Sequence, residues 1–121
     1  MKNEKDIVSR TFKFGVRIVR MGSVLPKTPV GFALASQVIR SGTSIGANVQ
    51  EAQSALSRKD FVHSMQISLK EARETKFWIE LITESSLLLA SKTKDLIEES
   101  DQLIRILTII VKHAKINSRN S

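Results

Sequence analysis

The sequence contains no cysteine and no tyrosine, and it holds two histidines, two prolines and five glycines among 121 residues. Without cysteine there can be no disulfide, thiolate metal site or cysteine nucleophile, and a reducing compartment is the natural setting. His63 and His113 are fifty residues apart and form neither an H-x3-H nor an H-E-x-x-H pattern, so they read as ordinary polar side chains. Long apolar runs are also missing. The longest, Ile106 to Val111, is interrupted by Thr108 and closed by Lys112, well short of the ~20 residues that span a bilayer. Met1 to Arg10 alternates charged and apolar residues and lacks the apolar core of a signal peptide, which leads us to expect a cytoplasmic protein. No stretch alternates with period two and no Asn-Gly or Asp-Gly turn occurs, so a sheet has no support.

What the chain does have is helical periodicity. Turn and capping signals divide it into four apolar-periodic segments, at about 3–24, 29–56, 58–84 and 91–116, with no internal repeat. In the first, Ile7, Thr11, Phe14, Ile18, Met21 and Leu25 recur at steps of four and three, the spacing of helices packed nearly parallel or antiparallel. Thr28 is placed to cap the second segment, with Pro29 in the first turn, where its missing N–H costs nothing. The second seam reads Ala35, Val38, Gly42, Ile45, Val49, Ala52 and Leu56. Ser57 to Asp60 resembles a capping box at the start of the third segment, and Ser91 is placed to cap the fourth. The expected architecture is all-α: one antiparallel up-and-down four-helix bundle over residues 1–121.

Two features of the first segment exceed the needs of such a bundle. Beside its seam, Val8, Phe12, Val16 and Val19 form a second apolar arc, a candidate self-association surface. The remaining strip carries Arg10, Lys13, Arg17 and Arg20 on one side of the helix. The formal net charge is +7, with the excess at the two ends of the chain: +5 over residues 1–27 and +2 over residues 85–121. The stripe, together with Lys112 and Lys115, is therefore a candidate contact for the backbone of RNA or DNA.

Gly42 and Gly46 lie one turn apart inside the second segment, where each costs about 1 kcal/mol in helix propensity against Ala. Close approach of a neighbouring helix would compensate. Ser41, Thr43, Ser44, Asn48 and Glu51 occupy the same turns, and any of them facing the core needs partners, for which Arg73 and Lys76 are candidates. Glu51, Glu71 and Glu74 lack the Glu-x-x-His companions of carboxylate-bridged metal bundles, so no metal is expected. No Walker loop, Rossmann glycine run, G-x-S-x-G or zinc pattern occurs, and neither catalysis nor a cofactor is expected.

The stretch Arg40-Ser41-Gly42-Thr43-Ser44-Ile45-Gly46-Ala47-Asn48-Val49-Gln50-Glu51-Ala52 resembles the family of bacterial 23S rRNA intervening-sequence proteins. So do Ser57 to Phe61 and Lys70 to Trp78, and the resemblance extends over nearly the whole chain. It implies a bacterial protein, an up-and-down bundle and a homopentameric ring, with Gly42, Gly46, Asn48, Glu51 and Glu71 as structural motif residues. A more distant similarity, to accessory proteins of diversity-generating retroelements, implies engagement of nucleic acid. Two functions remain open at this point: a non-enzymatic assembly that binds nucleic acid, or a protein-interaction adaptor with no such role.

Overall fold

A computed structural model describes residues 2–120, with side-chain surroundings described for residues 7–117. Four helices follow one another: α1 (Lys2–Ser23), α2 (Pro29–Gln53), α3 (Arg58–Glu84) and α4 (Ala90–Asn120). Their registers make each sequential pair antiparallel. Ile18 and Thr11 of α1 face Gly42 and Gly46 of α2, Ser41 and Ile45 of α2 bond to Thr75 and Ser68 of α3, and Lys76 and Thr83 of α3 meet Asp101 and Thr93 of α4. In each case one number rises as the other falls. Hence α1 and α3 run in the same direction. The α1–α4 seam is the sparsest of the four.

Local chemistry sets the helix ends. The Thr28 hydroxyl accepts the Gly31 N–H at 3.1 Å, and the Ser57 hydroxyl accepts the Asp60 N–H at 3.1 Å, so each occupies an orphan donor of its first turn. α3 ends in a left-handed cap. Ser86 has φ 60°, which lets the Ser86 N–H reach the Thr83 carbonyl and the Leu87 N–H reach that of Ile82.

Two ends differ from the sequence expectation. α2 stops at Gln53, because the Ser54 N–H turns back onto the Ala52 and Glu51 carbonyls, and Leu56 leaves the seam to stand 97 % exposed in the connection. α4 begins at Ala90, so Ser91 lies inside the first turn and is not the cap. The core is otherwise the expected seam. All six seam positions of the first segment are buried, five on α1 and Leu25 just past its end, against Val38, Ile45 and Val49 of α2, Met65, Ala72, Ile79 and Ile82 of α3, and Leu103, Leu107 and Val111 of α4.

Polar groups inside this core are paired. Ser68 donates to the Ile45 carbonyl at 2.9 Å, the Ser41 and Thr75 hydroxyls are hydrogen-bonded 2.9 Å apart, and Thr75 lies 2.7 Å from the Glu71 carbonyl. Among the described residues no buried side-chain nitrogen or oxygen lacks a partner, as expected where an orphan would cost about 1–3 kcal/mol.

Candidate self-association groove and basic stripe on α1

The closeness of α1 and α2 begins with glycine. A Cβ on Gly46 would lie 3.2 Å from the Thr11 carbonyl carbon and oxygen, and one on Gly42 would lie 2.6 Å from Ile18 Cγ2. These positions let the two helices approach where larger residues would hold them apart. On the outer side the same small residues leave a trough. Gly15, Gly46 and Ala47 help form an apolar groove of about 580 Å³, with Phe12, Val16 and Val19 along α1, Thr43 and Gln50 along α2, and Arg20 at one end.

Three members of the expected apolar arc thus line the groove. Phe12 is 65 % exposed and Val19 is exposed, while Val16 is half-buried. Val8 departs from them, packing instead against the edge of the core. An exposed phenylalanine beside a trough with almost no polar lining is the kind of surface that marks an interaction site.

The basic stripe runs along the next face of α1, but its members are not equivalent. Arg10 points across to α4, where its guanidinium donates to Glu99 at 2.7 and 3.2 Å and to Gln102 Oε1 at 2.8 Å. Its charge is thereby engaged within the chain. Lys13, Arg17 and Arg20 are exposed and in no salt bridge among the described residues.

Lys112 and Lys115 are exposed as well, though elsewhere. Glu99 and Gln102 mark the α1-facing side of α4, whereas Asp101, which receives Lys76 at 2.7 Å, marks the α3-facing side. At 100° per residue Lys112 and Lys115 fall near Asp101. They also lie roughly 20 Å along the axis from Glu99, in the direction away from Arg20. One subunit therefore does not gather α1 and α4 lysines into a single basic site.

The polar motif of α2 and α3 is organised around a residue other than those anticipated. Glu71, 9 % exposed, is met by Arg40 at 3.1 Å, and the same guanidinium contacts Glu74. Arg73 is exposed and Lys76 belongs to Asp101, so neither serves Glu71. Glu74 also accepts the Trp78 indole N–H at 3.0 Å, which holds the half-buried Trp78 edge-on to Phe77 at 5.1 Å. Asn48 donates to the Ser44 carbonyl within its own helix, and Glu51 is exposed. The arrangement ties α2 to α3 and, among the described residues, leaves no carboxylate free in the interior. Arg40 carries no periodic signal, although a basic residue opposite two acids of the third segment would have been a findable hint.

Among the described residues no group of three His, Asp or Glu side chains is placed to hold a metal ion. No helix among them is long and apolar enough to cross a membrane.

Residues 3–109 match the 23S rRNA-intervening sequence protein family. The chain is also similar to a solved structure of a protein of unknown function, from the S23 ribosomal protein family of Bacteroides thetaiotaomicron VPI-5482. The identity is 34 % over 91 % of this chain and 98 % of that one, with a TM-score of 0.85. No protein of curated function matches the chain.

Proposed function

Because the chain belongs to the 23S rRNA-intervening sequence protein family, we propose that it is a non-enzymatic, cytoplasmic helical module that assembles with copies of itself and binds RNA or DNA backbone. The observation that carries this reading is the juxtaposition on α1 of an apolar groove with the exposed cations Lys13, Arg17 and Arg20. Burial of the groove by another subunit would repeat the stripe around the assembly, the five-membered ring of the resemblance being the expected form. Several weak phosphate contacts then add through multivalency.

Recognition would be sequence-tolerant. Phosphate contacts position a protein without reading bases, the chain has no tyrosine, and Phe12 is the one exposed aromatic of α1 among its described residues. The groove itself favours the second reading, an adaptor whose trough takes another protein's apolar side chains.

Light-scattering mass on a sizing column, followed on the same sample by RNA and DNA binding at about 50 and 200 mM salt, separates the two. The informative variant is Lys13→Gln/Arg17→Gln, which leaves the groove-lining Arg20 in place. An oligomer that binds at low salt, releases at high salt and loses binding in the variant supports the nucleic-acid module. An oligomer that binds neither polymer sinks that role and favours the adaptor, and a stable monomer removes the self-assembly claim.

A further inference from the structure

The outer face of α3 carries a second unpartnered apolar element. Phe77 and Leu81 are 55 % and 37 % exposed and lie one turn apart on a face shared with Lys70, Glu80 and Glu84. This ridge belongs to the layer of the bundle opposite the α1–α2 groove. We infer that the occupant of the groove is the Phe77–Leu81 ridge of a second copy of this chain, in a head-to-tail contact. The inference rests on the self-assembly proposed above and specifies its other half.

Charge favours this contact over groove-on-groove pairing about an axis along the bundles. Two grooves face to face in that way would bring together two copies of Arg20 with Lys13 and Arg17 beside each, and like charges at close quarters oppose association. The ridge instead offers Glu80 and Glu84 at its C-terminal end and Lys70 and Arg73 towards its N-terminal end. The groove offers Arg20 at one end, and the exposed Glu51 follows its lining residue Gln50 at the other. None of Arg20, Glu51, Lys70 and Glu84 is in a salt bridge among the described residues.

Spans and directions agree. Lys70 to Glu84 covers about 20 Å of helix, and the Gly46–Thr11 register puts Glu51 about the same distance from Arg20 along the bundle. Placing Glu84 on Arg20 and Lys70 on Glu51 makes the neighbour's α3 run parallel to this α1. Within one subunit α1 and α3 are already parallel, so the pairing keeps all subunits in the same sense. Rotation about an axis running with the bundles requires that same relation. A groove-to-groove pair about a two-fold across the bundles lacks it. Such a heterologous contact closes into a ring or propagates, and does not stop at a dimer.

The absence of cysteine makes the test direct. Phe12→Cys/Phe77→Cys, oxidised under assembly conditions, is expected to give a covalent ladder beyond the dimer on a non-reducing gel, while each single-cysteine chain stays uncross-linked. In parallel, Glu80→Lys/Glu84→Lys should shift the light-scattering mass towards the monomer, and adding Arg20→Glu should restore part of the assembly. Efficient Phe12→Cys self-cross-linking that stops at the dimer would overturn the inference in favour of groove-to-groove pairing. An intact oligomer with no ladder and no response to the charge reversals would also overturn it while leaving self-assembly standing. A wild-type monomer would overturn both.

Discussion

Gly42 faces Ile18 so closely that a methyl group on it would sit 2.6 Å from Ile18 Cγ2 and 2.9 Å from Cγ1. Ile18 is fully buried and has nowhere to retreat. Gly42→Ala therefore sets an overpacking penalty of about 1–3 kcal/mol against a propensity gain of about 1 kcal/mol. A net loss of roughly 1 kcal/mol in denaturant unfolding is expected. At Gly46 the same methyl would stand 3.2 Å from backbone atoms, a conflict a few tenths of an ångström would relieve. Gly46→Ala should change stability by less than Gly42→Ala. Equal large losses at both sites would mean that the helix backbones cannot separate at all.

Arg40 reaches Glu71 from the neighbouring helix at 3.1 Å. Removing the cation leaves a carboxylate of low exposure without its partner, and an unpaired buried charge costs more than an exposed ion pair contributes. Because the Arg40 side chain is 49 % exposed, water can partly replace it, and Arg40→Ala should destabilise by about 1–2 kcal/mol. Glu71→Gln in that background should recover part of the loss. If it recovers nothing, the Arg40 effect is one of packing and not of charge.

How far these relations are visible in sequence depends on how far apart their members are. The Thr28 and Ser57 caps and the α1 seam rest on residues within four positions of one another, and a 3.6-residue period exposes them. Leu56 fits the same period and is nevertheless outside α2, because the Ser54 turn that ends the helix leaves no compositional mark. The partners of Glu71 and Arg10 are separated from them by 31 and 89 residues. Periodicity says which face each occupies but not which residue of another helix lies opposite. The groove was legible as an excess of apolar surface on α1. Its depth was not, since that depends on Gly15, Gly46 and Ala47 meeting across two helices.

Ser86 holds the left-handed position after α3 at φ 60°, a conformation in which a Cβ costs about 1–2 kcal/mol. Glycine relieves that strain but gives the unfolded chain more freedom, so Ser86→Gly should stabilise by only about 0.5 kcal/mol. A higher urea midpoint with an unchanged slope would show it. A loss would mean that the serine hydroxyl makes a contribution that the cap geometry does not.

The Lys76 ammonium is held above its ordinary pKa, chiefly by its hydrogen bond to Asp101; desolvation opposes this, and the charges of Asp101 and Glu80 add to it. A group raised in the folded state contributes its stability fully below the unfolded pKa and loses it as pH rises through the folded one. The loss therefore belongs to the alkaline side, above about pH 10, and should be small for so accessible a pair. In Asp101→Asn the Lys76 titration followed by NMR should move down. An unmoved titration would assign the shift to Glu80.

Arg10 and Arg17 occupy the same stripe of α1, yet only the first is bound to α4, through Glu99 and Gln102. If the polymer is held by phosphate contacts, each lost contact should lower the slope of log affinity against log salt by about 0.9 for duplex DNA. Arg17→Gln should show that reduction with little change in stability, since the side chain is exposed and in no salt bridge among the described residues. Arg10→Gln should do the reverse, leaving the slope nearly intact while lowering stability by up to about 1 kcal/mol as Glu99 loses its partner. Salt titration of binding and urea unfolding, run on both variants, separate the two roles. A slope that falls equally for both would mean that Arg10 abandons Glu99 for phosphate when the polymer binds, and the α1–α4 seam would then be the part of the bundle that responds to it.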